Sequence, residues 1–224
     1  MSGLDINYLL KVVPVIIKAL PITISIAIIS MIIGVIVGLI VTFLRRTPYS
    51  FINGIFDLYV SFFRGTPLMV QLFIFFFGLP QLLPILSKIE AYPAAVIVLS
   101  INASAYISEV MKSSIDAIDK GQYEAALSVG MSHLQAMERV ILPQAFKVAV
   151  LPLGNTFISL VQGTSITFMI GLKDIMGVAK VSSAASYRFL ESFLAVGLIY
   201  WLLTLVITKF INWSSFKLSK GGAI

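Results

Sequence analysis

The sequence predicts an all-α, polytopic membrane protein with five transmembrane helices, and three observations carry that prediction. Of 224 residues, 58% are hydrophobic and only 12% are Asp, Glu, Lys or Arg, about half the charged share of an ordinary soluble domain. Mean hydropathy is +1.00. Five stretches, 19–44, 65–87, 91–108, 148–172 and 192–208, lack all four charged residue types. Each is near or above the roughly 17 residues at which a helix begins to cross a ~30 Å hydrocarbon core.

The first run, 19–44, is long enough to tilt. It is also too long for a signal-peptide core, and no small-residue cleavage site follows it, so it is expected to stay in the protein. Gly34 and Gly38 form a GxxxG within it, which permits close helix contact. Next, 47–63 carries Phe51, Ile55, Leu58 and Phe62 at three- and four-residue spacing, with Asp57 off that stripe. That pattern predicts an amphipathic helix lying along the inner membrane surface. The runs 65–87 and 91–108 supply the second and third spans.

Residues 109–147 are too polar to span and too patterned to be disordered. Gln122 to Val129 is a good helix former, and Gly130 stands where a helix ends in a left-handed residue. Ser132 with Gln135 is a capping-box pattern that opens a second short helix, with Leu134, Met137 and Ile141 on one face, expected to stop before Pro143. The two helices make a knob in which Ala125 and Ala126 present little side chain, so another protein can approach closely. His133, the only histidine, is expected on the surface of that knob, and Glu109 is expected to be an ion-pair partner near the inner face.

The fourth run holds Asn155, Thr156, Ser159, Gln162, Gly163, Thr164, Ser165 and Thr167, too many polar positions for a lipid-facing helix. With Asn102, Ser104 and Ser108 of the third run, they predict either a polar path or hydroxyl-joined helices, and Gly163 weakens the helix there. The fifth run, 192–208, is at the short end. Positive-inside counting places ten of the sixteen Lys and Arg residues inside if the N-terminus is outside and the C-terminus cytoplasmic.

Several function classes are excluded. The net charge of +6 is scattered between apolar runs instead of forming one basic face, which argues against nucleic acid. Cysteine is absent, and no GxxxxGK[ST] phosphate loop occurs. No catalytic constellation, metal site or cofactor is therefore expected, and ATP chemistry has to come from a partner. An ion-coupled secondary carrier without an ATPase is the main competing class, but no mid-span carboxylate or Arg is present to carry a coupling ion.

Glu124-Ala125-Ala126, three residues, Gly130, nine residues and then Val140-Ile141-Leu142-Pro143 resemble the EAA motif of binding-protein-dependent ABC importer permeases, with Val140 where Ile is usual. Arg64-Gly65-Thr66-Pro67-Leu68 with Gln71, Asn102-Ala103-Ser104-Ala105-Tyr106 with Glu109, and Gly154-Asn155 with Thr164-Ser165 are similar to the polar amino acid permeases. That family comprises the histidine, arginine, glutamine and cystine importers, and the resemblance runs from about residue 15 to 215.

The resemblance implies a type I ABC importer permease fold in one domain, 1–224, with the coupling loop at 112–143. It implies a bacterial cell membrane location and a homodimer or close heterodimer of permeases. Two cytoplasmic ABC ATPase subunits and an extracellular solute-binding protein are the implied partners. Glu124, Ala125, Ala126, Gly130, Leu142 and Pro143 would couple to the ATPase, while Asn102, Ser104, Thr156, Ser159, Gln162, Gly163 and Thr164 are the candidate substrate residues. Arginine-type members often carry an acidic residue at position 156 and Lys followed by Asp or Glu at 162 and 163. This chain has Thr156, Gln162 and Gly163, which favours a neutral polar amino acid over a basic one such as arginine or histidine. The stretch from Gln162 through Asp174-Ile175-Met176-Gly177 to Tyr187-Arg188-Phe189, then Tyr200-Trp201, resembles cystine-type permeases of Gram-positive bacteria, which makes L-cystine the best expectation.

Overall fold

The computed structural model describes residues 4–220, and the regular elements among them are all helical. In chain order they are α1 (Ile6–Ile17), α2 (Leu20–Leu44), α3 (Ser50–Gly65), α4 (Leu68–Leu82), α5 (Ala91–Asp116), α6 (Lys120–Ser128), α7 (His133–Ile170), α8 (Ile175–Ser186) and α9 (Phe189–Lys220). Four of them, α2, α5, α7 and α9, are long and apolar enough to span a bilayer, and α3 with α4 makes a fifth span bent by 106°.

Lipid removes the usual reason for large apolar residues to point inward, and α2 shows the consequence. Its inward face is mostly small, Thr23, Ala27, Ser30, Gly34, Gly38 and Thr42 beside Ile26 and Val41, while Ile28, Ile32, Ile36 and Ile40 point outward. Small residues let backbones approach closely, and hydroxyls then bond across the seam. Thr42 Oγ1 donates to Gly38 O at 2.7 Å and reaches Ser108 of α5. A Cβ on Gly34 would stand 3.1 Å from Ala103 Cβ, and one on Gly38 would stand 2.9 Å from the Ser104 carbonyl oxygen. The GxxxG is thus the seam between α2 and α5, and α5 is the most enclosed span.

The second span is not the single segment 65–87. Thr66 is extended, φ −115° and ψ 144°, as expected for a residue before proline, and α3 stops there. The break frees carbonyls that lipid cannot satisfy. Gln71 Nε2 answers by donating to Phe63 O at 3.0 Å and Thr66 O at 3.1 Å, and Asn102 Nδ2 of α5 donates to Phe63 O and Gln71 Oε1, both at 3.0 Å. The expected surface helix is more than a surface element: Phe51, Ile55, Leu58 and Phe62 do face outward, but Phe56, Tyr59, Val60 and Phe63 pack on α2 and α5.

The second loop helix does not end before Pro143. It passes through a π turn, Met137–Ile141, and continues unbroken into the fourth span. A second π turn, Ile74–Gly78, precedes Pro80 in α4. Proline lacks an N–H and its ring crowds the carbonyl four residues back, and the wider turn gives that carbonyl room.

At the end opposite the α6–α7 hairpin, α1, α8 and α9 pack around Ile16, Ile175, Ala179 and Ala195. Asp174, in the turn between α7 and α8, caps α8 by accepting the Gly177 N–H at 2.8 Å. It is fully buried, and Oδ2 makes no hydrogen bond. Burial pushes this carboxyl up to about 6, against the weaker opposing pull of the Gly177 and Met176 N–H groups.

Two outcomes are expected. Gly38→Ala overpacks the α2–α5 seam and destabilises by about 1–3 kcal/mol, read as a lower melting temperature in detergent, whereas Gly54→Ala, whose Cβ meets no atom within 4 Å, leaves it unchanged or higher. Because the Asp174 pKa is raised on folding, the folded state binds the proton more tightly, and stability increases as pH falls from about 6 toward the ordinary 3.8. Asp174→Asn keeps the cap and is expected to flatten that part of the pH profile of thermal unfolding. An unchanged slope would assign the dependence to another group.

Candidate functional site: a polar cavity between the broken span and α7

A cavity of about 380 Å³ lies where the start of α4 meets α5 and α7, lined by Leu68, Asn102, Ala103, Tyr106, Asn155, Thr156, Ser159 and Leu160. The break at Thr66–Pro67 positions Leu68. The network through Gln71 fixes Asn102, whose Nδ2 is committed to the broken span. No lining residue is charged.

Of the sequence-predicted substrate residues, Asn102, Thr156 and Ser159 come together on this cavity. Gly163 stands at its rim, where an added Cβ would be 3.3 Å from Leu68 Cδ2. Gln162 is exposed, on the same α7 stripe as Asn155 and Ser159. Ser104 points elsewhere: it is fully buried, donates to Ile101 O at 2.7 Å and lies 2.6 Å from Tyr59 Oη, joining α5 to α3. Thr164 is buried at the start of a 3-10 segment and bonds Val161 O, with Tyr200 Oη at 3.4 Å.

Tyr106 also lines the cavity and was not among the predicted polar positions, whereas Asn155, expected with the fourth-run polar positions on a path or a helix seam, was not among the candidate substrate residues. The signal was helical spacing, since Tyr106 is four residues after Asn102 and Asn155 four before Ser159. Both residues are on faces already marked by a predicted neighbour.

Beneath the cavity, toward the hairpin, Glu109 takes Arg45 at 2.6 Å and Arg64 at 3.0 Å. Arg45 also holds Asp57 at 2.7 Å. The expected ion-pair role of Glu109 is therefore seen, with two arginines.

The hairpin is built by local rules. Gly130 has φ +88°, Met131 N–H bonds Ala126 O and Gly130 N–H bonds Leu127 O, the paired bonds that close a helix through a left-handed glycine. The Ser132–Gln135 capping box is complete. His133 Nδ1 lies 2.7 Å from Tyr123 Oη, tying the two helices. Glu124, Ala125 and Gly130 are exposed at the tip together with Val129 (74%) and Leu134 (67%), whereas Ala126 is buried and Leu142 packs at the root with Ile115 and Ile141. Pro143 is exposed beside that root.

Comparison with known proteins bears on this arrangement. Residues 31–220 match the family described as binding-protein-dependent transport system inner membrane component. The probable amino-acid ABC transporter permease PatM of Vibrio harveyi is 43% identical, covering 97% of this chain and 98% of its own. The arginine transport system permease ArtQ of Bacillus subtilis is 42% identical over 92% of this chain and 93% of its own, and the L-cystine transport system permease TcyB of the same organism 38% over 87% and 82%. A crystal structure of an amino acid ABC transporter with histidines superposes with a TM-score of 0.90 at 34% identity, over 96% of this chain and all of that one. The chain belongs to the inner membrane components of binding-protein-dependent transport systems and, within them, is an amino-acid ABC importer permease, a multi-pass transport subunit without a catalytic step of its own.

Proposed function

We propose that the cavity holds a polar amino acid with a neutral side chain, L-cystine being the best candidate, while the bundle alternates between outward- and inward-open states. The observation that carries this reading is the lining itself: amides and hydroxyls from Asn102, Asn155, Thr156 and Ser159 with no carboxylate among them, Glu109 lying outside the lining and held by Arg45 and Arg64. Basic amino acids are the rival cargo, favoured by the likeness to an arginine permease and to a transporter crystallised with histidines. Gln162 and Gly163, where arginine-type members carry charges, favour the neutral reading.

The stripe Asn155, Ser159 and Gln162 is exposed at spacings of four and three along α7. Bare amides in hydrocarbon are costly, so the stripe supports a second permease, identical or closely similar, facing it across a central path. The N-terminus lies outside and the C-terminus in the cytoplasm. Two ABC ATPase subunits receive the 112–143 loop of this single permease domain, with Glu124, Ala125, Ala126 and Gly130 at the docking tip and Leu142 and Pro143 carrying its movement into α7. An extracellular solute-binding protein delivers the cargo. The apolar tip residues Val129 and Leu134 fit a protein partner better than water.

Reconstitution with the ATPase and binding protein tests the cargo: ATP-dependent uptake of cystine over arginine, histidine and glutamine is expected, and preferential arginine uptake would overturn the neutral-site reading. Gly130→Asp places a side chain at positive φ and a charge on the tip, and is expected to lower ATP-dependent uptake at least about tenfold, equivalent to 1.4 kcal/mol of coupling. Normal uptake with the ATPase still bound would refute the docking assignment.

A further inference from the structure

We propose that Arg64, beside the ring of the lining residue Tyr106, and Glu109, three residues past it and just outside the lining, form a head-group reader next to the cavity, in which the substrate's α-carboxylate takes Arg64 and its α-ammonium takes Glu109. This rests on the reading that the cavity holds an amino acid.

The four charges beneath the cavity are unequal. Arg45 is only 8% exposed and holds Asp57 and Glu109 at 2.7 and 2.6 Å, so it is locked. Arg64 is 44% exposed, has one carboxylate at 3.0 Å, and lies 5.7 Å from the centroid of the Tyr106 ring, which lines the cavity. It is the member free to swing. It also precedes the break by two residues, and just beyond the break α4 starts at Leu68 on the cavity wall.

Two arginines and two carboxylates sum to zero. Pulling Arg64 from Glu109 leaves Arg64, 44% exposed, without its carboxylate and leaves one Glu109 oxygen open while Arg45 keeps the other. A zwitterion supplies both replacements at once: its carboxylate takes the place of Glu109 on Arg64, and its ammonium takes the place of Arg64 on the Glu109 oxygen that Arg45 does not use. The exchange conserves charge and ignores the cargo's side chain. Selection of the side chain is left to the amides and hydroxyls above, and selection of the amino acid head to this pair.

The test is equilibrium binding to the detergent-solubilised permease–ATPase complex without the binding protein, using radiolabelled cystine, arginine and histidine in turn, competed by each amino acid's α-amide and N-acetyl derivatives. The wild type is expected to bind one of them and to bind both derivatives at least tenfold more weakly. Arg64→Gln removes the discrimination against the amide and keeps that against the N-acetyl form, Glu109→Gln does the converse, and Arg64→Lys and Glu109→Asp restore much of each. A purely structural pair would lose both discriminations together with melting temperature. If the wild type discriminates and both glutamine variants discriminate equally well, the proposal is overturned while the cavity reading stands. If the wild type binds none of the three, the cavity reading falls and takes this proposal with it.

Discussion

The structure depends on one constraint: a backbone broken inside hydrocarbon must find its hydrogen bonds within the protein. Pro67 forces the break by holding Thr66 extended, and Gln71 and Asn102 close it by occupying the Phe63 and Thr66 carbonyls. That repair has a functional by-product. It sets both Asn102 and Leu68 on the lining of one cavity and brings the last turn of α3, with Arg64, beside the lining residue Tyr106. The residues that mend the helix are therefore the residues that shape the site.

A second consequence of the lipid environment is the small-residue seam between α2 and α5. Gly34, Gly38 and Thr42 meet Ala103, Ile107 and Ser108 there, and on α2 Ile28, Ile32, Ile36 and Ile40 face outward, whereas α5, the most enclosed span, also buries Leu99 and Ile107. Gly154 repeats the device at the α7–α9 seam, where an added Cβ would stand 2.6 Å from Ile211. Close, small-residue seams suit spans that have to shift as rigid bodies, because interdigitated bulky side chains would resist sliding.

Much of this was legible in the sequence. Charge-free runs located four spans and the α4 half of the fifth, since exclusion of charge from lipid is a strong signal, and the capping box and Gly130 set the hairpin because caps and turns are local. The missed features are those decided by tertiary partners. The boundary between 47–63 and 65–87 falls close to the break at Pro67, but nothing in hydropathy says that α3 packs on α2 and α5 and joins α4 in one bent span. Pro143 read as a stop because the π turn that accommodates it has no composition signature. Ser104 read as a path residue because a buried hydroxyl and a cavity hydroxyl look alike until Tyr59 is placed beside it. Tyr106 and Asn155 were on the marked faces, and only the neighbouring helix shows that those faces meet.

Thiol reactivity decides whether the polar stripe of α7, Asn155, Ser159 and Gln162, meets water or lipid. The natural chain contains no cysteine, so single thiols report cleanly. Ser159→Cys and Gln162→Cys, compared with Ile32→Cys and Ile36→Cys on the outward face of α2, should be measured for reaction with a charged, water-soluble thiol reagent in the membrane-embedded transporter. The account predicts fast labelling at 159 and 162, slowed by substrate, and no labelling at 32 and 36. Equal protection of all four positions would place α7 against lipid and contradict it.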